Sequence, residues 1–466
     1  VEYVTKMQPR SPLGIHTADS GPDRGRWASV IVLLVAYAVC LLDRQVLNIL
    51  AVGVRAGLQI SEFQFALLAG PAFAIFYTLC GLPLGWLADR GNRVRLIVAG
   101  MLVWSIATAA CGLATGFVSL FFWRVVVGIG EASLVPAGMS LISDLFGPVE
   151  RPRALSLYAM GSSVGVGLAF VGVAAIVPQA DHALPLLGTL APWRIVMIEV
   201  ALPGLVLAAI ILAIMREPPR TGLAAGDDRP SPLEGIKFMW ARRGMYGWFI
   251  GATSTHSLIT YGIGAFLAPF FIRTFGWSVP KVGLVYGLTI LCWALPGAVA
   301  GGWLASWMRR NGRLEATIRA MWFAASLAAI PTACIWIVGS PALAIVLLGV
   351  NNFCLGANFL ISNAAIADVT PNRYRGLTVS TVLSILTILG LGLGPPSVAA
   401  LTQFVFADDR AVGLSLALFC GVLGPLEVFM LWKAQAPFRE GAQAAQAWES
   451  ESEQPSAYAL YSEANH

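Results

Sequence analysis

Apolar stretches of about twenty residues recur along the whole chain, each followed by a short polar or basic segment. At 1.5 Å of helical rise per residue, each is long enough to cross the hydrocarbon core of a bilayer. The pattern predicts membrane helices near 28–52, 62–88, 94–114, 118–145, 153–177, 194–215, 246–272, 281–308, 315–337, 341–367, 375–402 and 412–433. An even number of spans places both termini on one side. That side holds GNRVR around Arg93, VERPRA around Arg151 and Arg153, RRNGR around Arg310 and PNRYRG around Arg373 and Arg375. The opposite loops carry mainly Arg55, Arg194, Arg273, Lys281 and Arg410. By the positive-inside rule the terminus side is cytoplasmic.

At mid-chain the polar, proline- and glycine-rich REPPRTGLAAGDDRPSPLEG breaks the pattern. The expected organisation is a cytoplasmic arm 1–27, a six-helix bundle 28–215, a cytoplasmic linker 216–245, a second bundle 246–433 and a cytoplasmic tail 434–466. The arm reads as polar and basic rather than as a cleavable leader. The tail has too little continuous apolar sequence for another span, so mostly mobile chain with a short surface helix is expected.

Composition agrees with this architecture. Hydrophobic residues make up 57% of the 466 positions and charged residues 12%, which excludes a soluble domain of this size. The seven cysteines lie in apolar stretches without metal-ligand spacing and read as small buried hydrophobes. No phosphate-binding loop with its lysine, no nucleophile-and-base constellation and no metal ligand set is present, so direct ATP drive, catalysis and a resident cofactor are not expected. Nucleic acid is not an expected partner either.

The two halves echo each other. GWLADRGNR at Gly85 corresponds to GWLASWMRRNGR at Gly302, 217 residues later, and DLFGPVERPRALS at Asp144 corresponds to DVTPNRYRGLTVS at Asp368, 222 to 224 residues later. Two similar offsets, each joining a helix end to a basic loop, favour duplication of a helical bundle.

Ionisable residues inside apolar helices are costly and normally face a protein-lined cavity. Asp43 and Arg44 lie in VLLVAYAVCLLDRQVLNIL, and Arg124 and Glu131 in FFWRVVVGIGEASLVPAG. Asp43 and Glu131 each sit about 20 Å from the terminus side by helical rise, so they can face one central cavity. An unpaired carboxyl in an apolar surround tends to hold a proton, whereas a nearby guanidinium favours the ionised form. Asp43 and Glu131 are therefore the expected proton-coupling carboxylates, with Arg44 and Arg124 as switching partners or as sites for an anionic group. A permanent structural salt bridge is the alternative. Gly128 and Gly130 are expected to let a helix or ligand approach the backbone between the charges.

In the seventh span, His256 is read as a neutral, hydrogen-bonded histidine or else a proton acceptor, beside Thr255, Thr260 and Tyr261. At least one of Asn358 and Asn363 in the tenth span is expected to face the cavity. Glu199 and Glu427 have no basic partner nearby in sequence, and their roles stay open.

At the terminus side, Asp89, Arg90 and Arg93 in GWLADRGNRVR can make charge-assisted bonds across neighbouring helix ends, and Gly81 and Gly85 allow close approach. Asp144 is expected to pair with Arg151 and Arg153, and Asp368 with Arg373 and Arg375, when an inner gate closes.

GWLADRGNRVR resembles the cytoplasmic signature of the major facilitator superfamily, with GWLASWMRR as its weaker repeat, in which Ser306 stands where an aspartate is expected. The resemblance implies an all-α fold of twelve transmembrane helices in two pseudo-symmetric bundles, and a latch at Asp89 that stabilises the outward-open state. LLDRQVLNI at Leu41 and RVVVGIGEASLVPAGMSLISDLF at Arg124 are similar to motifs of the spinster branch. That resemblance implies a secondary transporter, coupled to protons, for an amphipathic anionic lipid such as a lysophospholipid or sphingoid phosphate. Arg44 and Arg124 would then neutralise the phosphate, and Phe73, Tyr77, Phe122, Tyr158 and Phe170 would supply apolar lining. Related motifs in organic-anion carriers leave a small organic anion open as substrate, and a non-transporting membrane sensor is the alternative of another class. A monomer in a bacterial inner membrane is expected.

Overall fold

The computed structural model describes residues 23–147, 149–177, 182–184, 188–220 and 232–453. Most of the expected arm (1–22), the middle of the linker (221–231) and the end of the tail (454–466) lie outside the described residues.

Among the described residues, twelve helices are long and apolar enough to span a membrane: Gly25–Ile49, Glu62–Arg90, Arg93–Gly112, Phe117–Leu145, Arg153–Ile176 and Pro192–Ile214 in the first half, and Arg243–Phe275, Val279–Arg310, Ala316–Cys334, Pro341–Val369, Tyr374–Val405 and Asp409–Ala445 in the second. They are called the first to twelfth spans. The first packs on the fifth and the third on the sixth; correspondingly the seventh packs on the eleventh and the ninth on the twelfth, while the seventh also packs on the twelfth and the eighth and ninth on the tenth. Between the halves the fifth span lies against the eighth and the second against the eleventh.

Several spans depart from regular α-helix along their length. The second breaks at Gly70, whose absent side chain leaves room for the Leu391 carbonyl of the eleventh span at 2.4 Å from the missing Cβ. The fourth breaks after Glu131, where Ser133 Oγ donates to the Gly130 carbonyl at 2.9 Å. The eleventh contains two π-helical turns, Thr387–Leu391 and Leu401–Val405. Polar groups freed by such interruptions are tolerated inside a bundle because protein, not lipid, surrounds them.

The end of the chain corrects the sequence reading. Residues 434–453 are not mobile chain with a short helix but continue the last helix, Val412–Glu453. Ala434, Phe438 and Ala442 recur every fourth residue and are buried against the second bundle. Arg439 then reaches Glu315 with two hydrogen bonds, at 2.8 and 3.0 Å. Those bonds, with Arg319 at 3.3 Å, hold the Glu315 carboxyl down at a pKa of about 2. The linker is not featureless either: Pro232–Ala241 is helical, and Phe238 stacks on Tyr374 at 4.6 Å. All seven cysteines are free, and Cys292 is exposed rather than buried.

Candidate functional site

Cys40 and Arg44 are four residues apart in the first span and so share one helix face. That face meets Glu131 at the break in the fourth span. Arg44 donates to Glu131 Oε2 from Nη2 at 2.8 Å and from Nε at 3.2 Å, and the Cys40 thiol approaches the same oxygen at 3.2 Å. The Arg44 guanidinium lies over the rings of Phe73 at 4.4 Å and Tyr77 at 5.0 Å, which stack on each other. The first span also packs on the seventh, which carries Tyr261, so the second half borders this region.

Asp43 and Arg124 occupy the same cluster without an ion pair. Asp43 is fully buried and makes no ion pair among the described residues; its neighbours are the Trp104 indole, Glu131 and Arg124. Arg124 is 3% exposed, lies 5.5 Å from the Phe73 ring centroid and donates only to the Leu68 carbonyl, at 3.4 Å, just before the break at Gly70. Two acids and two guanidinium groups therefore share one enclosed region with a single closed pair. The glycine reading holds: a Cβ at Gly128 would meet the Phe73 carbonyl at 2.9 Å, and one at Gly130 the Gly100 carbonyl at 2.9 Å. Tyr158 stacks on Tyr37 at 5.2 Å beside the cluster, and Phe170 meets Tyr286 of the second half edge-on at 4.7 Å. Phe122 does not join them; it is 56% exposed and packs on Trp123.

In the second half, a small cavity of about 40 Å³ is lined by His256, Thr260, Tyr286, Asn351, Asn358 and Glu427, among others. His256 Nδ1 lies 3.0 Å from Glu427 Oε1, supplying the partner that the local sequence does not show. Asn358 is buried on this cavity with both amide atoms unpartnered, whereas Asn363 is exposed.

The terminus-side charges pair differently from the expectation. Asp144 is bonded to Arg93, which also takes Glu217 at 2.6 Å and the Ser140 hydroxyl at 3.1 Å. Asp368 is bonded to Arg309 and accepts from Thr317 Oγ1 at 2.9 Å. Arg151 donates to the Phe146 carbonyl at 3.4 Å, Arg375 to the Ala367 carbonyl at 3.1 Å, and Arg153 is exposed. The Arg373 side chain lies outside the described residues. The physical reason is helix packing: the arginine at the end of the adjacent span points across at each aspartate, while the loop arginines turn back onto nearby carbonyls. The outcome strengthens the duplication, because in each half the first repeated motif bonds to the second. Asp89 is exposed and makes no ion pair with a described residue, and Arg90 lies over Trp86 at 4.2 Å. Gly81 faces open space and Gly85 meets only Pro136, so the close approach expected there is not made.

On the opposite side a gate not foreseen in the sequence joins the halves. Glu62, 1% exposed, is bonded to Arg55 of its own half and to Arg273 of the other through both carboxyl oxygens, at 3.1 and 3.2 Å. Arg55 also pairs with Asp409 at 3.0 Å, and the Phe63 amide donates to Gln403 at 3.0 Å. The described ion pairs of the terminus side each stay within one half. The protein is thus closed on the side opposite its termini.

Two six-helix bundles, one holding a buried charge cluster, joined by a gate on one side, are the architecture of an alternating-access carrier. The family model of the Major Facilitator Superfamily matches residues 33–395, and the chain belongs to that superfamily. It is a multi-pass membrane transporter and not an enzyme. The D-galactonate transporter of Escherichia coli O6:H1 is 26% identical over 314 residues, 62% of this chain and 69% of that protein. Protein spinster homolog 1 of Xenopus tropicalis, a relative of the branch the first- and fourth-span motifs resemble, is 28% identical over 240 residues, 47% of this chain and 43% of that one. A crystal structure of a bacterial homologue of the human lysosomal transporter Spinster, inward-facing and unoccupied, shares the fold with a TM-score of 0.75 at 24% identity, covering 92% of this chain and 99% of that one.

Proposed function

We propose that this chain is a proton-coupled secondary transporter of an organic anion, working as a monomer in a bacterial inner membrane with its termini in the cytoplasm. The observation that carries the reading is the Arg44–Glu131 pair beside the unpaired Asp43 and Arg124. An anion that takes Arg44 displaces Glu131 and brings one negative charge into the cluster. A net charge added in such a place is expensive. A proton on Glu131 cancels it, whatever the protonation of Asp43. Anion and proton therefore enter together at least cost, which is symport, and the reverse exchange releases both.

An amphipathic anion, such as a lysophospholipid or sphingoid phosphate, is favoured by the aromatic surfaces of Tyr37, Phe73, Tyr77 and Tyr158 around the guanidinium. A sugar acid is the second reading, favoured by the relative named as a galactonate transporter. Both offer one negative group to Arg44 and differ in what surrounds it. Uptake of labelled lysophospholipid and labelled sugar acid into reconstituted vesicles, with and without an imposed pH difference and against protein-free vesicles, separates them. Accumulation of one class that grows with the pH difference is expected. Accumulation indifferent to it overturns the coupling, and movement of neither class beyond the protein-free control overturns the substrate assignment.

A further inference from the structure

We propose that His256 and Glu427 form a second proton-binding site, in the carboxy-terminal half and separate from the Glu131 cluster. The two side chains come from the seventh and twelfth spans, meet at 3.0 Å and line a partly open cavity whose polar groups include Thr260, Thr332, Asn351 and Asn358. Glu427 is only 6% exposed. A volume of about 40 Å³ admits a few water molecules. The lining provides the partners such waters need: both amide atoms of Asn358 are unpartnered, and Asn351 accepts from Thr332 Oγ1 at 2.8 Å. A proton, exchanged through such waters, fits the chemistry of an imidazole held against a carboxylate.

The electrostatic surroundings are otherwise neutral. The twelfth span adds Cys420, the tenth Cys354 and the eighth Tyr286 to the lining; the ninth adds Thr332, and the seventh itself Thr260. The lining carries no formal charge besides the pair, so one added or lost proton changes the net charge of the cavity by a full unit. Nothing nearby offsets it, and a change of that size in a low-dielectric site is felt by the helices that hold it.

The proposal draws on the proton-coupled reading only for its role in transport, and its test needs neither substrate nor gradient. The chain has four histidines, so nitrogen-15 histidine labelling in nanodiscs gives a small set of signals, and H256Q assigns the one of interest. The His256 imidazole is expected to titrate between pH 4.5 and 9, with its midpoint about one unit or more lower in E427Q, because the carboxylate favours the charged ring. E427D, which keeps the carboxylate, should restore most of the parental midpoint and guards against a folding defect. A His256 signal fixed in one protonation state across the range, or an equal midpoint in E427Q, overturns the proposal.

Discussion

Replacing Arg44 with alanine is expected to lower the initial rate of anion uptake by about 10- to 150-fold, the equivalent of one lost charge-assisted hydrogen bond of about 1.5–3 kcal/mol. Arg44 donates twice to Glu131 and lies flat against Phe73 and Tyr77. Its alanine variant leaves Glu131 without its cation and the incoming anion without its fork. Arg44→Lys restores the charge but neither the second donor nor the stacking plane, so it should recover only part of the rate. Uptake per milligram of reconstituted protein, with thermal stability measured in parallel, checks both variants. A parental rate in Arg44→Ala would remove Arg44 from the binding site.

Glu62→Gln should open the opposite side. The carboxylate holds Arg55 and Arg273 together across the halves, and a neutral amide keeps the shape while weakening both bonds. Loss of about 1.5–3 kcal/mol from one conformation shifts the populations by about 10- to 150-fold. Spin labels at the exposed positions Ala56 and Arg410, one in each half, report this as a distance distribution. The variant should add a longer-distance population scarcely present in the parent. An unchanged distribution would reduce the Glu62 cluster to a surface ornament of the closed state.

Periodic apolar runs made the twelve spans, the central linker and the duplication legible, because span length and loop charge are local properties. The partners inside the bundle were less legible, although part of the signal was available. Consecutive helical residues point about 100° apart, so Asp43 and Arg44 do not face one partner, whereas Cys40 and Arg44 share a face. That spacing separates a paired Arg44 from an unpaired Asp43. His256 and Glu427 are 171 residues apart, and no local pattern announces their contact. Glu62 reads locally as part of a helix start, since Ser61 and Gln64 form a capping box around it; its tie to Arg273 spans 211 residues. The tail was misread because its apolar residues, spaced by four, were judged by their number rather than by their common face.

The coupling of proton to anion at Glu131 is tested most directly by Glu131→Gln in vesicles under two regimes. In the first, an imposed pH difference drives net accumulation; in the second, labelled and unlabelled anion exchange at equal pH. A permanently neutral side chain mimics the protonated state and leaves Arg44 free for the anion. Exchange should therefore persist while accumulation falls to the level seen without a gradient. Accumulation by Glu131→Gln equal to that of the parent, under the same pH difference, would contradict the account.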